Sequence, residues 1–289
     1  MMDPRAWRRF RRNRGAIVGL ALVGLVNAVA WIGPAFAPFD PSEQLEGGTD
    51  PQTGAPVPPG THLAGRGTLW LGADEVGRDE LSRLLAGTRI SLLVAFGATL
   101  LAVALGVLIG ILAGYAGGPT DTVAMRSIDL LQSLPFLLVA IALNRVIDRP
   151  DLWVLCLVMG GLSWTTLARV MRAKTLQVRE LEYVQAARAL GAPAARLLLR
   201  HVLPNAIQPA LVLGTTLVAQ MIIFESAMSY LGLGVRPPTP SLGSMLHSGQ
   251  QWLTHQPVLV LAPSALIVAT VFGFNLLGEG LRDVLDPKD

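Results

Sequence analysis

The sequence is poor in charge, cysteine and lysine, and each shortage narrows what it can be. Only 15% of its 289 residues are charged, against about 25% in an ordinary soluble domain, too few for a normal water-facing coat. Disordered chains are polar and charge-rich, so a mean hydropathy of +0.50 excludes that class as well. The single cysteine, Cys156, can form no intrachain disulfide, and the 30 glycines follow no collagen-like period. The two lysines, Lys174 and Lys288, do not follow a glycine, so the chain lacks the G-x-x-x-x-G-K-[ST] loop that cradles phosphates. The four histidines (His62, His201, His247, His255) are scattered and lack the accompanying ligands of a metal site. No metal is expected, and nothing assembles into a nucleophile–base set that would make the chain an enzyme.

Long uncharged runs fill the space that charge leaves. Gly15–Phe39, Ile90–Thr120 and His201–Phe224 contain no Asp, Glu, Lys or Arg, and Pro237–Gly278 is also uncharged. A spanning helix needs about 20 mostly apolar residues. These runs give four spans, the last beginning near Val258. Shorter apolar segments, Leu130–Asn144 and Leu152–Ala168, add a third and a fourth in chain order, the third beginning near Thr122 and taking in Arg126 and Asp129. Six spanning helices in an all-α polytopic membrane protein are expected, because a lipid-embedded backbone must satisfy its own hydrogen bonds.

Orientation follows from the positive charges. Six arginines lie among the first 14 residues, which sets the N-terminus in the cytoplasm. An apolar run follows them at once, so they point to a membrane rather than to nucleic acid. The stretch from Pro38 to Thr88 has three arginines beside eight acids and suits the outside. Six spans then put the second basic cluster, Arg172 to Arg200, inside, and both termini are cytoplasmic. The segments are a basic tail (1–14), a first span (15–37), an external loop (38–88), a five-helix core (89–282) and a short C-terminal tail (283–289). The Pro/Gly-rich part of the external loop, Pro51–Gly67, reads as an irregular, flexible connection. Ala35-Phe36-Ala37 resembles a signal-peptidase site, but the apolar run before it is longer than a signal peptide's, so the first span is expected to be retained.

The cytoplasmic loop 174–206 carries the most specific pattern. Its helix formers stop at Gly191, and Pro193 can open the next helix. Ala186, Ala187 and Ala189 leave one side small, and Arg188, Arg196 and Arg200 supply charge around it. The residues fit a solvated positive-inside loop and a docking element equally well. In the membrane, Gly106, Gly110 and Gly114 form a small-xxx-small face for close helix packing. Glu225 is expected near the outer boundary of the fifth span. It reads as a pathway or gate residue with Ser226 and Ser229, or as a structural partner of Arg145, Arg236 or an arginine of another subunit.

Several segments together resemble one family. Gln185-Ala186-Ala187, Gly191 and Leu203-Pro204 are spaced as in the EAA loop of ABC importer permeases, with Gln185 where the family has Glu and His201 where it has Ile. Leu71–Leu92, Glu225–Gly243 and Asn275–Pro287 are similar to stretches of the dipeptide/oligopeptide/nickel permeases. The resemblance implies a type I ABC importer permease fold in the bacterial inner membrane. It implies a second homologous permease subunit, two ABC ATPase subunits and an external solute-binding protein as partners. ATP and magnesium would be bound by the ATPases, with no cofactor on this chain. Tyr183, Gln185, Ala186, Ala187, Arg188, Gly191, Leu203 and Pro204, within the loop 182–204, would couple ATP hydrolysis to alternating access. An ion-coupled secondary carrier is the alternative, but it calls for midplane carboxylates and inverted repeats.

Overall fold

The structure, a computed structural model, describes residues 11, 13–146 and 151–285. It is mostly helical, and among the described residues five helices are long and apolar enough to cross a membrane: α1 (Arg14–Trp31), α2 (Glu80–Ala116), α5 (Leu152–Arg179), α9 (Gln208–Tyr230) and α11 (Val258–Leu285). The third span in chain order differs from expectation. Two helices, α3 (Gly118–Ser133) and α4 (Phe136–Val146), meet at a bend of 88°. The break falls at Leu134-Pro135, where a proline disfavours helical backbone in the residue before it; Leu134 is extended at ψ 134°. Short elements complete the order: α6 (Glu182–Ala189), α7 (Ala194–Leu197), a π-helical turn Leu198–Val202, α8 (Leu203–Ala206) and α10 (Leu242–Gly249).

At 37 residues, α2 is about 56 Å long, almost twice the hydrocarbon core, and so it stands out of the membrane. Its start is fixed by Asp79, whose carboxylate accepts from the Ser82 backbone N–H at 2.8 Å. Its other end stops at Gly117 with φ +65°. The central packing is α2 against α5. A Cβ on Gly110 would lie 2.5 Å from the Ala168 carbonyl, one on Gly114 2.7 Å from that of Arg172, and one on Gly106 2.9 Å from Leu167 Cβ. The glycine face therefore lies in a seam within the chain. The fourth span runs to Arg179 rather than Ala168, because its charges find partners on α3: Arg169 with Asp129 at 2.9 Å, and Arg172 bidentate on Asp121. The first helix lies against the last, where a Cβ on Gly19 would meet the Leu277 backbone nitrogen at 2.6 Å.

The loop between α1 and α2, expected to be external, is folded, which corrects the expectation of a flexible connection. It carries a two-stranded antiparallel hairpin, β1 (Thr61–Leu63) with β2 (Gly67–Leu69), in the register Thr61↔Leu69. Leu45, Leu63, Leu69 and Ala73 are buried together, with Phe39 and Val57 packed against them. Four apolar side chains that cannot reach the helical core make a small core of their own. Charge ties this cap to α2: Asp74 Oδ2 receives Arg78 Nε at 2.7 Å and Arg83 Nε at 3.1 Å, all three residues buried. Burial also pushes the Asp79 carboxyl up, against the hydrogen bonds from Ser82. Across the cap, Glu75 accepts from Ser248 at 2.9 Å and Gln251 at 2.8 Å, and Gln256 donates to the Pro56 carbonyl.

Candidate functional site

The elbow is built between α5 and α9. The C-terminal end of α6 is closed by two backbone bonds, Ala192 N–H to the Ala187 carbonyl at 3.1 Å and Gly191 N–H to that of Arg188 at 3.0 Å. That is the Schellman pattern, which needs a left-handed residue at its turn, and Gly191 has φ +82°. Pro193 is extended and caps α7. Beneath the elbow, Val184, Leu197, Val202 and Ala206 are buried with Met171 and Val178 of α5. The Tyr183 hydroxyl accepts from Asn205 at 3.0 Å, and the Arg188 guanidinium sits 5.7 Å from the Tyr115 ring centroid at the end of α2. The elbow is thus fastened to three of the long helices.

Its outer surface is small and open. Ala186, Ala189 and Gly191 are exposed, Leu190 is 89% exposed, and nothing lies within 4 Å of where a Gly191 Cβ would be. Gly191 is therefore required inside this chain by its backbone angle and not by a close neighbour. Gln185 donates its amide to the Arg179 carbonyl and to Glu180 Oε2, both at 3.1 Å. A glutamate there could only accept, so the amide suits this particular junction. Leu203 is half-buried and Pro204 exposed at the start of α8.

In the membrane, α5 and α9 also wall a hollow of about 400 Å³ whose far side is the α3–α4 elbow. Its polar lining is neutral: Gln132, Ser163, Thr165, Thr166, Thr216 and Gln220. Gln132 donates to Thr165 at 3.2 Å, and Phe136 stacks on Phe224 with centroids 4.1 Å apart. Hydrogen-bonding groups spaced along an apolar wall give a solute somewhere to shed water. The hollow and the elbow share α5 and α9.

Comparison with known proteins decides what such a device is. Residues 106–288 match the family described as binding-protein-dependent transport system inner membrane component, and residues 5–56 match the N-terminal TM domain of oligopeptide transport permease C. The dipeptide transport system permease protein DppC of Haemophilus influenzae is 36% identical over 98% of this chain and 93% of its own length. The oligopeptide transport system permease protein OppC of Bacillus subtilis is 39% identical over 97% of this chain and 88% of its own. The chain belongs to this permease family. A crystal structure of an amino acid ABC transporter matches the fold with a TM-score of 0.53 and 18% identity, over 68% of this chain and 91% of that one. The permease is thus a multi-pass inner-membrane subunit of an ABC importer, and the ion-coupled carrier is set aside.

Glu225 lies in the last third of α9 and is 1% exposed, buried within the chain. Its Oε1 accepts from Ser229 at 2.7 Å, with the hydroxyls of Ser91, Ser226 and Ser241 around the carboxylate. Ser91 in turn accepts the Leu242 backbone N–H at 3.1 Å. A Cβ on Gly243 would fall 2.3 Å from the Ser226 carbonyl. Glu225, Ser226 and Ser229 therefore sit where α2, α9 and α10 meet, and none of them lines the hollow. One position earlier, Phe224 does line it, since successive residues on a helix turn by about 100°. Gln132 and Gln220 went unnoticed in the sequence; their only signal is a carboxamide inside an apolar span.

Proposed function

We propose that this permease forms half of the pathway of an ATP-driven importer for peptides, with a second homologous permease subunit as the other half. Two ABC ATPase subunits bind ATP and magnesium, and one of them docks on Ala186, Leu190 and Gly191 of this chain. Their closure tilts the elbow, and α5 and α9 then move the walls of the hollow between outward- and inward-open states. A push of this kind changes the equilibrium only through contacts that differ between the two states. A solute-binding protein delivers the peptide from outside, over the folded cap. Both termini lie in the cytoplasm. The observation that carries this reading is the sharing of α5 and α9 between an exposed, rigidly capped elbow and a neutral, hydrogen-bonding hollow. The dipeptide and oligopeptide names of the relatives support the substrate class.

The test is the whole complex, with its binding protein, in proteoliposomes. Di- and tripeptides are expected to stimulate ATP hydrolysis and to accumulate inside. Stimulation by nickel chelates alone, with peptides inert, overturns the substrate assignment.

A further inference from the structure

The neutral hollow continues toward the elbow. A second hollow of about 370 Å³ follows the same faces of α5 and α9, shares Leu213 with the first and adds α11 as a third wall. Its chemistry changes abruptly. The first hollow has no charged residue in its lining, whereas the second has Lys174 and Arg282 and no acid. Lys174 donates to Gln177 at 3.0 Å. Arg282 makes no ion pair or hydrogen bond among the described residues. Among the described residues the acids nearest it in sequence do not supply one: Glu279 is exposed and away from the hollow, and Asp283 accepts from Asn13 at 2.9 Å, while Asp286 lies outside the described residues. Lys174 is half-buried and Arg282 exposed, and no counter-ion stands in the described lining of the groove they share, so its positive potential favours an anion from elsewhere.

Continuity with the neutral hollow identifies that anion. Whatever moves along α5 and α9 meets no charge until it reaches Lys174 and Arg282. We infer that these two residues form a cationic exit that receives the carboxylate of the transported solute, so that a peptide leaves toward the cytoplasm with its C-terminus leading. The inference rests on the proposed function, because it takes the groove as the pathway and a peptide as the solute. The α-ammonium of the same peptide is repelled by the pair and trails. The neutral upper hollow does not distinguish the two ends, so the discrimination falls at the exit.

The experiment compares uptake of a tripeptide bearing a free carboxylate with that of its C-terminal amide, each at saturating concentration. The complete importer is used in proteoliposomes, and wild type is compared with the Lys174→Gln/Arg282→Gln double variant. The binding protein is the same in both, so its own preference cancels when the two ratios are compared. The ratio of free peptide to amide is expected to fall by roughly threefold to fivefold in the double variant, the size of one partly solvated ion pair. Lys174→Arg with Arg282→Lys is expected to keep the wild-type ratio. Each preparation is made in phosphatidylcholine alone and with phosphatidylglycerol added. An equal loss for both peptides overturns the inference: confined to vesicles with phosphatidylglycerol, it marks a lipid headgroup site, and in both vesicle types it marks an acid of the partner permease. Absence of any peptide uptake by the wild type fails the proposed function itself, which keeps the two failures apart.

Discussion

The two ends of the permease handle charge in opposite ways. At the outer end, Asp74, Arg78 and Arg83 are buried and bonded to one another, and Arg83 also donates to the carbonyls of Pro41 at 3.0 Å and Pro238 at 3.3 Å. At the elbow, Arg188, Arg196 and Arg200 are exposed, as is Leu190. The outer end is completed by its own chain, and the inner end presents a surface that its own chain does not cover. A buried charge needs its partner in place, which makes the cap rigid and intolerant. An exposed, small-residue turn costs little to alter in the isolated subunit and much once a partner rests on it.

Substitutions at the two ends sharpen that contrast. The largest effect on the fold is expected from Asp74→Ala, which leaves two buried guanidinium groups without their carboxylate and costs about 3–5 kcal/mol. Thermal unfolding of the purified complex, or the yield of intact subunit in the membrane, measures it; a midpoint equal to wild type would show that the outer cluster is not what holds the cap. Gly191→Val comes next, at about 1–2 kcal/mol, because a β-branched residue is forced into left-handed backbone. Its functional effect is larger, with ATP hydrolysis continuing while peptide accumulation is lost. Gly191→Asn separates turn from contact, since asparagine tolerates φ above zero. Restored transport in that variant makes the turn the requirement; persistent uncoupling makes it the approach of a partner. The smallest effect is expected at the rim of the cap, where Arg66 and Glu43 pair at 2.6 Å with both side chains exposed. Arg66→Ala should change stability by less than about 1 kcal/mol, and a drop as large as that of Asp74→Ala would erase the distinction between buried and exposed pairs.

Much of this organisation is legible in the residues themselves. Uncharged runs locate the long helices, because lipid tolerates few charges along a span, and Gly191 with Pro193 marks the elbow, because only certain residues take those backbone angles. What escapes is contact across the sequence. Arg169 and Arg172 read as the end of the fourth span until Asp129 and Asp121 are found beside them on another helix. The core of the cap is dispersed from Leu45 to Ala73 without periodicity, so nothing local announces it. Glu225 looks like a boundary residue by rise per residue alone; only the fold brings Ser91 and Ser241 to it from distant segments. The 88° bend is half visible, since Pro135 signals a break but not its direction.

The embrace of α1 and α11 has a consequence for how the molecule is made. The Cβ position of Gly280 lies 2.3 Å from that of Ala16, so α1 fits against a long helix that is synthesised about 240 residues after it. Contacts between distant parts of a chain form late. The face that α1 turns to α11 therefore stays without its partner until α11 has been made. A ribosome stalled before Val258 would leave that face open, and quality control could recognise the unfinished subunit by it.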